Sequence, residues 1–260
     1  MKSLSRYHVG YWQATQHPLV CVVFVAPLLI AYEIGTWLSG PESVARNGAD
    51  VWLRETLASL GARAPWTAPA LLVAILLGWG LWRRRRLPPD LVGASLGMTL
   101  EAALFAVGLF GLSQAMAPLI ENLGWRPGPA ALGSRHDAIL HGPALLLTLD
   151  PACQQIVRYL GAGLYEETLF RLLLFSGLWG LFLFWDLPPT MAFLLAGLAS
   201  ALSFAGAHHV GPHGEPFQPL IFSFRTMAGL YFGWVFHFRG FGIAVGAHAG
   251  YDVLVGILAA

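Results

Sequence analysis

The chain has 260 residues, of which 56% are hydrophobic and only 11% are charged. Soluble domains carry about 25% charged residues, so this composition excludes a soluble globular protein and indicates a polytopic membrane protein. The net charge of +1 gives no basis for nucleic-acid binding. The two cysteines form neither a disulfide framework nor a metal-ligand spacing. The lipid bilayer is therefore the first partner that the sequence predicts.

Seven apolar stretches are candidates for membrane-spanning helices, and an eighth would fit. The sequence thus predicts an all-α, polytopic transmembrane helical bundle of about 7–8 spans. We also expect short helices in the polar connections, one amphipathic at about 51–60 and one apolar at about 138–147. The seven stretches lie at about 18–38, 66–82, 91–119, 156–184, 190–207, 217–236 and 241–258.

Basic residues predict the topology of the chain. A run of four arginines at 83–86 directly follows the second stretch, and such runs lie on the cytoplasmic side. Lys2 and Arg6 then place the N-terminus on the same side. Arginine, alanine and glycine dominate over lysine, as in GC-rich bacterial genes. We therefore expect an integral protein of a bacterial cytoplasmic (inner) membrane, with a cytoplasmic N-terminus.

The most informative segment runs from Tyr165 to Arg171. It places Glu166, Glu167 and Arg171 inside the apolar stretch 156–184, although a charge at mid-bilayer costs roughly 2.5–3.5 kcal/mol. Glu167 and Arg171 are four residues apart and are expected to pair on one helix face. Glu166 points about 100° away in a regular α-helix. It is free for proton transfer, although a cluster that only locks helices together would show the same pattern.

Other polar residues interrupt the later and earlier spans. His208 and His209 close the stretch 190–207, and only one of two consecutive histidines is expected to face a given cavity. His248 and Asp252 are four residues apart on one helix face, so they either bond to each other or face the same cavity. We expect Glu101 to bond to a neighbouring helix.

Two expectations concern the loop before the stretch 217–236 and the charge inside that stretch. Arg225 is expected to offset a carboxylate, whereas His213 and Glu215 are expected to be solvated.

The stretch 156–184 is longer than one span at about 1.5 Å per residue. A break near Ser176-Gly177 would accommodate its length.

The residues alone leave three chemistries open for Glu166, His208, His248 and Asp252. Such a set could activate a water and stabilise a tetrahedral oxyanion. Two histidines and two carboxylates could also hold zinc. In a transporter, the same groups could relay protons.

Three motifs in this order resemble those of the CPBP family, which contains intramembrane proteases related to the type II CAAX prenyl endopeptidases and the bacteriocin-immunity proteins. The motifs are Glu-Glu-x-x-x-Arg, Phe-x-x-x-His and His-x-x-x-Asn/Asp. The resemblance covers residues 150–260 as a unit of catalytic transmembrane helices, after an N-terminal unit, 1–149, of transmembrane helices and connecting loops. The matching residues are Glu166, Glu167, Arg171, Phe204, His208, His248 and Asp252.

The resemblance implies an intramembrane endopeptidase that acts on a peptide or on a lipidated, membrane-anchored protein. It implies that Glu166 activates a water with His208, and that His248 and Asp252 polarise the scissile carbonyl or steady its oxyanion. It implies structural support by Glu167, Arg171 and Phe204. If the enzyme depended on a divalent metal such as zinc, Glu166, His208, His248 and Asp252 would hold it.

One position departs from the resemblance, because Asp252 stands where the prenyl-protein members carry Asn. An ionised aspartate cannot donate to an oxyanion, so it would have to be protonated, orient His248 or contact a metal. We expect a glutamate-activated water, because the chain has no helix with two histidines flanking an acid. The alternative is a non-proteolytic transporter or bacteriocin-immunity protein that uses the same polar cluster for binding or proton relay.

Overall fold

The regular structure is helical throughout the part of the chain that the computed structural model describes, residues 10–40, 46–83, 90–122, 149–211 and 214–258. This confirms the all-α class. The helix expected at 138–147 and the basic residues at positions 2, 6 and 84–86 lie outside the described residues. The helices are α1 Tyr11–Thr15, α2 Pro18–Ser39, α3 Gly48–Ser59, α4 Thr67–Arg83, α5 Leu91–Asn122, α6 Pro151–Phe184, α7 Pro189–Ala207, α8 Pro219–Arg239 and α9 Phe241–Leu258.

Five of these helices are long and apolar enough to cross a membrane: α2, α5, α6, α7 and α9. The count of 7–8 spans is not confirmed within the described residues. Helix α4 is apolar but shorter than the others. Helix α8 has 21 residues, but it includes Arg225, His237 and Arg239, which lower its mean hydropathy. The short helix expected at about 51–60 is confirmed as α3.

Local sequence signals account for where several helices begin and end. The side chains of Asn47 and Asp150 accept hydrogen bonds from the backbone N–H groups of Ala49 and Cys153, which caps α3 and α6 at their N-termini. Helix α8 ends at Gly240, whose φ is +95° and whose Cβ, if present, would lie 2.5 Å from the Thr15 carbonyl oxygen. Only glycine meets both constraints there.

Helix α6 is continuous, so the expected break near Ser176-Gly177 is wrong. Its middle, Ala162–Phe175, is a π-helix, and its two ends are α-helical. At Ser176 only the hydrogen-bond pattern changes. π-Helical turns are rare, and they concentrate at functional sites. The π-helical part contains the whole segment from Tyr165 to Arg171.

Small residues let the helices around α9 approach closely. Helix α9 packs against α2, α5, α6 and α8. A Cβ on Gly163 of α6 would lie 2.6 Å from the carbonyl oxygen of Val245 in α9, and one on Gly229 of α8 would lie 2.9 Å from the Cα of Ala201 in α7. Glycine at these crossings allows backbone-to-backbone packing, as in other membrane bundles.

An ion pair ties α5 to the end of α8. Arg239 is almost fully buried, and its Nη2 donates to Glu101 Oε2 at 2.8 Å. The Tyr11 hydroxyl donates to the same oxygen at 2.9 Å, and the guanidinium lies 3.5 Å from the ring centroid of Trp12. The expectation that Glu101 bonds to another helix is confirmed.

We predict that Glu101→Gln lowers the free energy of unfolding by about 3 kcal/mol, because it leaves the buried Arg239 without its counter-charge. Thermal unfolding of the purified protein in lipid nanodiscs measures the change. The exposed Glu55 provides the matched control, since Glu55→Gln removes a carboxylate that is not buried. Equal unfolding temperatures for the two variants would contradict the prediction.

Candidate active site

The predicted site residues come from three different helices, α6, α7 and α9. The π-helical part of α6 carries Glu166, Glu167 and Arg171, and all three are buried. Helix α9 carries His248, also buried, and Asp252 one turn later. Phe204 lies near the end of α7, and His208 directly follows that helix. Helices α6 and α9 cross closely at Gly163, and this crossing brings their charged side chains together.

Glu167 lies at the centre of the cluster. Its Oε1 is 3.1 Å from Arg171 Nη1 and 2.7 Å from His248 Nδ1. Because an ionised carboxylate only accepts, Nδ1 of His248 donates this hydrogen bond. The bond fixes the ring orientation and directs Nε2 away from Glu167. Sequence reasoning found the pair with Arg171 but missed the contact with His248.

The Nε2 face of His248 is where two further carboxylates meet. Glu166 Oε2 lies 3.8 Å from Nε2, and Asp252 Oδ2 lies 3.7 Å from it. Both separations exceed a direct hydrogen bond, and polar atoms at such separations are commonly bridged by water. Phe232 of α8 stacks on the imidazole with ring centroids 4.5 Å apart, which leaves the ring edge as the reactive side.

The second oxygen of Glu166 has a partner that sequence reasoning missed. Asn47 Nδ2 donates to Glu166 Oε1 at 2.8 Å. The residues lie 119 positions apart, and the pattern around Asn47 indicates only a helix N-cap. No sequence signal connects it to the site.

Arg171 is held by several groups besides Glu167. Its Nη2 donates to the Gly229 carbonyl oxygen of α8 at 3.3 Å. Its guanidinium lies 4.4 Å from the ring centroid of Phe204, a distance typical of a cation–π contact. Phe204 also packs against the rings of His208 and His248, at centroid distances of 5.1 and 5.8 Å.

The two consecutive histidines diverge, as expected for neighbours in sequence. His208 Nδ1 donates to the Phe204 carbonyl oxygen at 2.8 Å, which leaves Nε2 as the free nitrogen. His208 is an electrostatic neighbour of Glu166. His209 instead bonds through Nδ1 to the Glu215 carbonyl oxygen at 2.9 Å, and it packs near Phe217.

Glu215 is not simply solvated, contrary to expectation. Its carboxylate pairs with Arg225 of α8 at 2.9 Å, so the expectation that Arg225 offsets a carboxylate is confirmed. The backbone N–H of Glu215 donates to the His208 carbonyl oxygen at 2.9 Å. These bonds fold the loop back onto the end of α7. His213 lies outside the described residues.

The four predicted residues are not grouped as a metal site. In the described ranges, no three His, Cys, Asp or Glu side chains are placed as ligands of one ion. His248 Nδ1 donates to Glu167, whereas Nε2 of His248 lies 3.8 Å from Oε2 of Glu166. No chemical step is assigned to a metal.

The C-terminal part of the chain matches the model of a known protein family. Residues 148–254 match the model of a family described as type II CAAX prenyl endopeptidase Rce1-like. The match covers less than half of the 260 residues. No curated protein and no solved structure matches the chain. The resemblance to the CPBP proteases is thereby confirmed for this segment, and together with the apolar helices it supports a membrane protease.

Proposed function

We propose that the chain is an intramembrane endopeptidase that hydrolyses a peptide bond of a membrane-tethered or membrane-adjacent substrate with a water activated by Glu166. The observation that carries the proposal is the gap in front of His248 Nε2. Glu166 Oε2 and Asp252 Oδ2 face it from 3.8 and 3.7 Å. Two carboxylates and an imidazole edge around one gap match the geometry that water activation requires.

Glu166 is the general base in this proposal. Its Oε2 takes a proton from the water while the water oxygen forms a bond to the carbonyl carbon of the substrate. The carbonyl oxygen becomes an oxyanion. Glu166 then returns the proton to the amide nitrogen, and the C–N bond breaks to give a carboxylic acid and an amine. His208 is assigned to assist Glu166 in activating the water.

His248 is the electrophilic group. A proton on Nε2 can be donated to the developing oxyanion, and the bond from Nδ1 to Glu167 keeps the ring pointing at it. Asp252 lies one helical turn further on α9 and is assigned the role of orienting this edge of the ring. Such a role is compatible with a carboxylate, whereas donation to the oxyanion is not.

Glu167, Arg171 and Phe204 support the site without touching the substrate. Arg171 balances the charge of Glu167 and is itself held by the ring of Phe204 and the carbonyl of Gly229. Pairing of this kind is needed because an isolated charge is costly in a low-dielectric interior. The three residues thereby fix the position of His248.

The substrate class follows from the location of the site among apolar helices. Candidates are a lipidated C-terminal tail, a bacteriocin-like precursor and a C-terminal sorting segment. The family description favours the lipidated tail. We place the protein in a bacterial cytoplasmic membrane with its N-terminus in the cytoplasm, on the basis of Lys2, Arg6 and the arginine run at 83–86.

We predict that Glu166→Gln abolishes peptide cleavage while the protein stays folded, because glutamine cannot accept the proton of the attacking water. The measurement is mass spectrometry of membrane peptides from cells that express the wild type or the variant. Peptides that end at a new C-terminus should be present only with the wild type.

Glu55→Gln is the matched control for this experiment, since Glu55 is exposed on α3. It should give the same peptides as the wild type. Unchanged cleavage by Glu166→Gln would remove Glu166 from its assigned role. Solute transport in proteoliposomes without any peptide product would instead favour the transporter alternative.

Substitutions of Asp252 test whether it orients His248. We predict that Asp252→Asn keeps cleavage within about tenfold of the wild-type rate, because the Oδ1 atom of asparagine can face the ring edge as Asp252 Oδ2 does at 3.7 Å. Asp252→Leu has a similar volume but no polar atom, and it should reduce the rate about 100-fold. Initial rates on a farnesylated peptide with a C-terminal Cys-aliphatic-aliphatic-Ser sequence provide the measurement. Equal losses in both variants would contradict an orienting role.

A further inference from the structure

Asn47 reaches the candidate site from outside the segment that matches the family. It is the N-cap of α3, and the oxygen and the nitrogen of its side-chain amide bond to different groups. Oδ1 accepts from the backbone N–H of Ala49 at 2.8 Å, whereas Nδ2 donates to Glu166 Oε1 at 2.8 Å. The cap bond and the Glu166 bond together leave the amide little rotational freedom. The side chain is buried.

A buried hydrogen-bond chain holds Asn47 in place. Its backbone N–H donates to the hydroxyl of Tyr32 at 3.2 Å, and that hydroxyl donates to Asp50 Oδ2 at 2.9 Å. Tyr32 and Asp50 are both fully buried. Gly161 of α6 admits this arrangement, since a Cβ there would lie 2.3 Å from the Tyr32 ring.

The same chain continues to the residue next to Glu166. Arg54 pairs with Asp50 at 2.6 Å and with Glu33 of α2 at 2.7 Å. Burial lowers the pKa of Arg54, but the charges of Asp50 and Glu33 outweigh that effect and raise it. Glu33 in turn accepts from the Tyr165 hydroxyl at 2.8 Å. Helices α2 and α3 therefore fix both Tyr165 and Glu166.

We infer that Asn47 is a positioning residue of the active site, which holds one oxygen of Glu166 so that the other faces His248. This inference rests on the proposed function, because it takes Glu166 as the base. The hydrogen bond from a neutral amide favours the ionised carboxylate. Besides Asn47, the charges that act on Glu166 come from His208, from His248 and Asp252 of α9, and from Arg171 on its own helix.

The test is Asn47→Ser, which keeps a good N-cap but removes the amide donor. The protonated carboxyl of Glu166 has an infrared C=O band, which the difference spectrum against Glu166→Gln identifies in proteoliposomes. Without the donor, protonation becomes easier. We therefore expect the midpoint pH of this band to rise by about one unit. Asn47→Asp should raise it further, because it places a second carboxylate against Glu166.

Asp150→Ser is the matched control, because Asp150 caps α6 through Cys153 and lies outside the site. Its midpoint should equal that of the wild type, and thermal unfolding shows whether each variant is folded. An unchanged midpoint in Asn47→Ser would overturn the inference. This readout does not need a substrate, so it is separate from a failure of the proposed function.

Activity gives a second readout. On the farnesylated peptide, the acid limb of the pH–rate profile of Asn47→Ser should move up by about one unit, in parallel with the infrared midpoint. A role in capping alone would leave the profile at its wild-type position, because serine also caps α3. A wild-type profile in a folded, active Asn47→Ser protein would also overturn the inference.

Discussion

One buried carboxylate, that of Glu167, is shared between a guanidinium and an imidazole. Its Oε1 lies 3.1 Å from Arg171 and 2.7 Å from His248. In a low-dielectric interior, removing one partner of such a pair leaves an uncompensated charge, which costs about 3–5 kcal/mol. The shared oxygen therefore constrains how α6 and α9 pack. Because Arg171 also bonds to Gly229 and packs on Phe204, the same constraint extends to α7 and α8.

Much of the architecture could be predicted because it depends on local sequence. Apolar length predicted the helices, and caps such as Asp150 followed by Pro151 explain where they begin. The spacing of Glu167 and Arg171 predicted a pair that the structure places 3.1 Å apart. The spacing of His248 and Asp252 predicted that they share one helix face, and the structure places them 3.7 Å apart. The span count was harder to predict from the sequence, since a helix such as α8 can be long enough to cross a bilayer while carrying two arginines.

The remaining features could not be predicted because they depend on contacts distant in sequence or on irregular geometry. The direction of Glu166 was inferred from a regular α-helix, but the segment is π-helical, with a wider turn. In that geometry Glu166 and Glu167 reach opposite nitrogens of one imidazole. The bond from Asn47 to Glu166 joins a helix cap to a helix 119 residues away. Neither motif spacing nor hydropathy contains that information.

The family match begins at residue 148, yet the polar network of the candidate site extends to Asn47 and Glu33, which precede the matched segment. Within the matched segment alone, Oε1 of Glu166 would lose the Asn47 amide, and the Tyr165 hydroxyl would lose Glu33. Buried polar groups without partners are costly, so a bundle made only of α6 to α9 would have to rearrange or admit water there. The division at residues 149 and 150 stays a prediction from sequence. In physical terms, the unit that holds Glu166 includes α2 and α3 as well as the helices that carry the motifs.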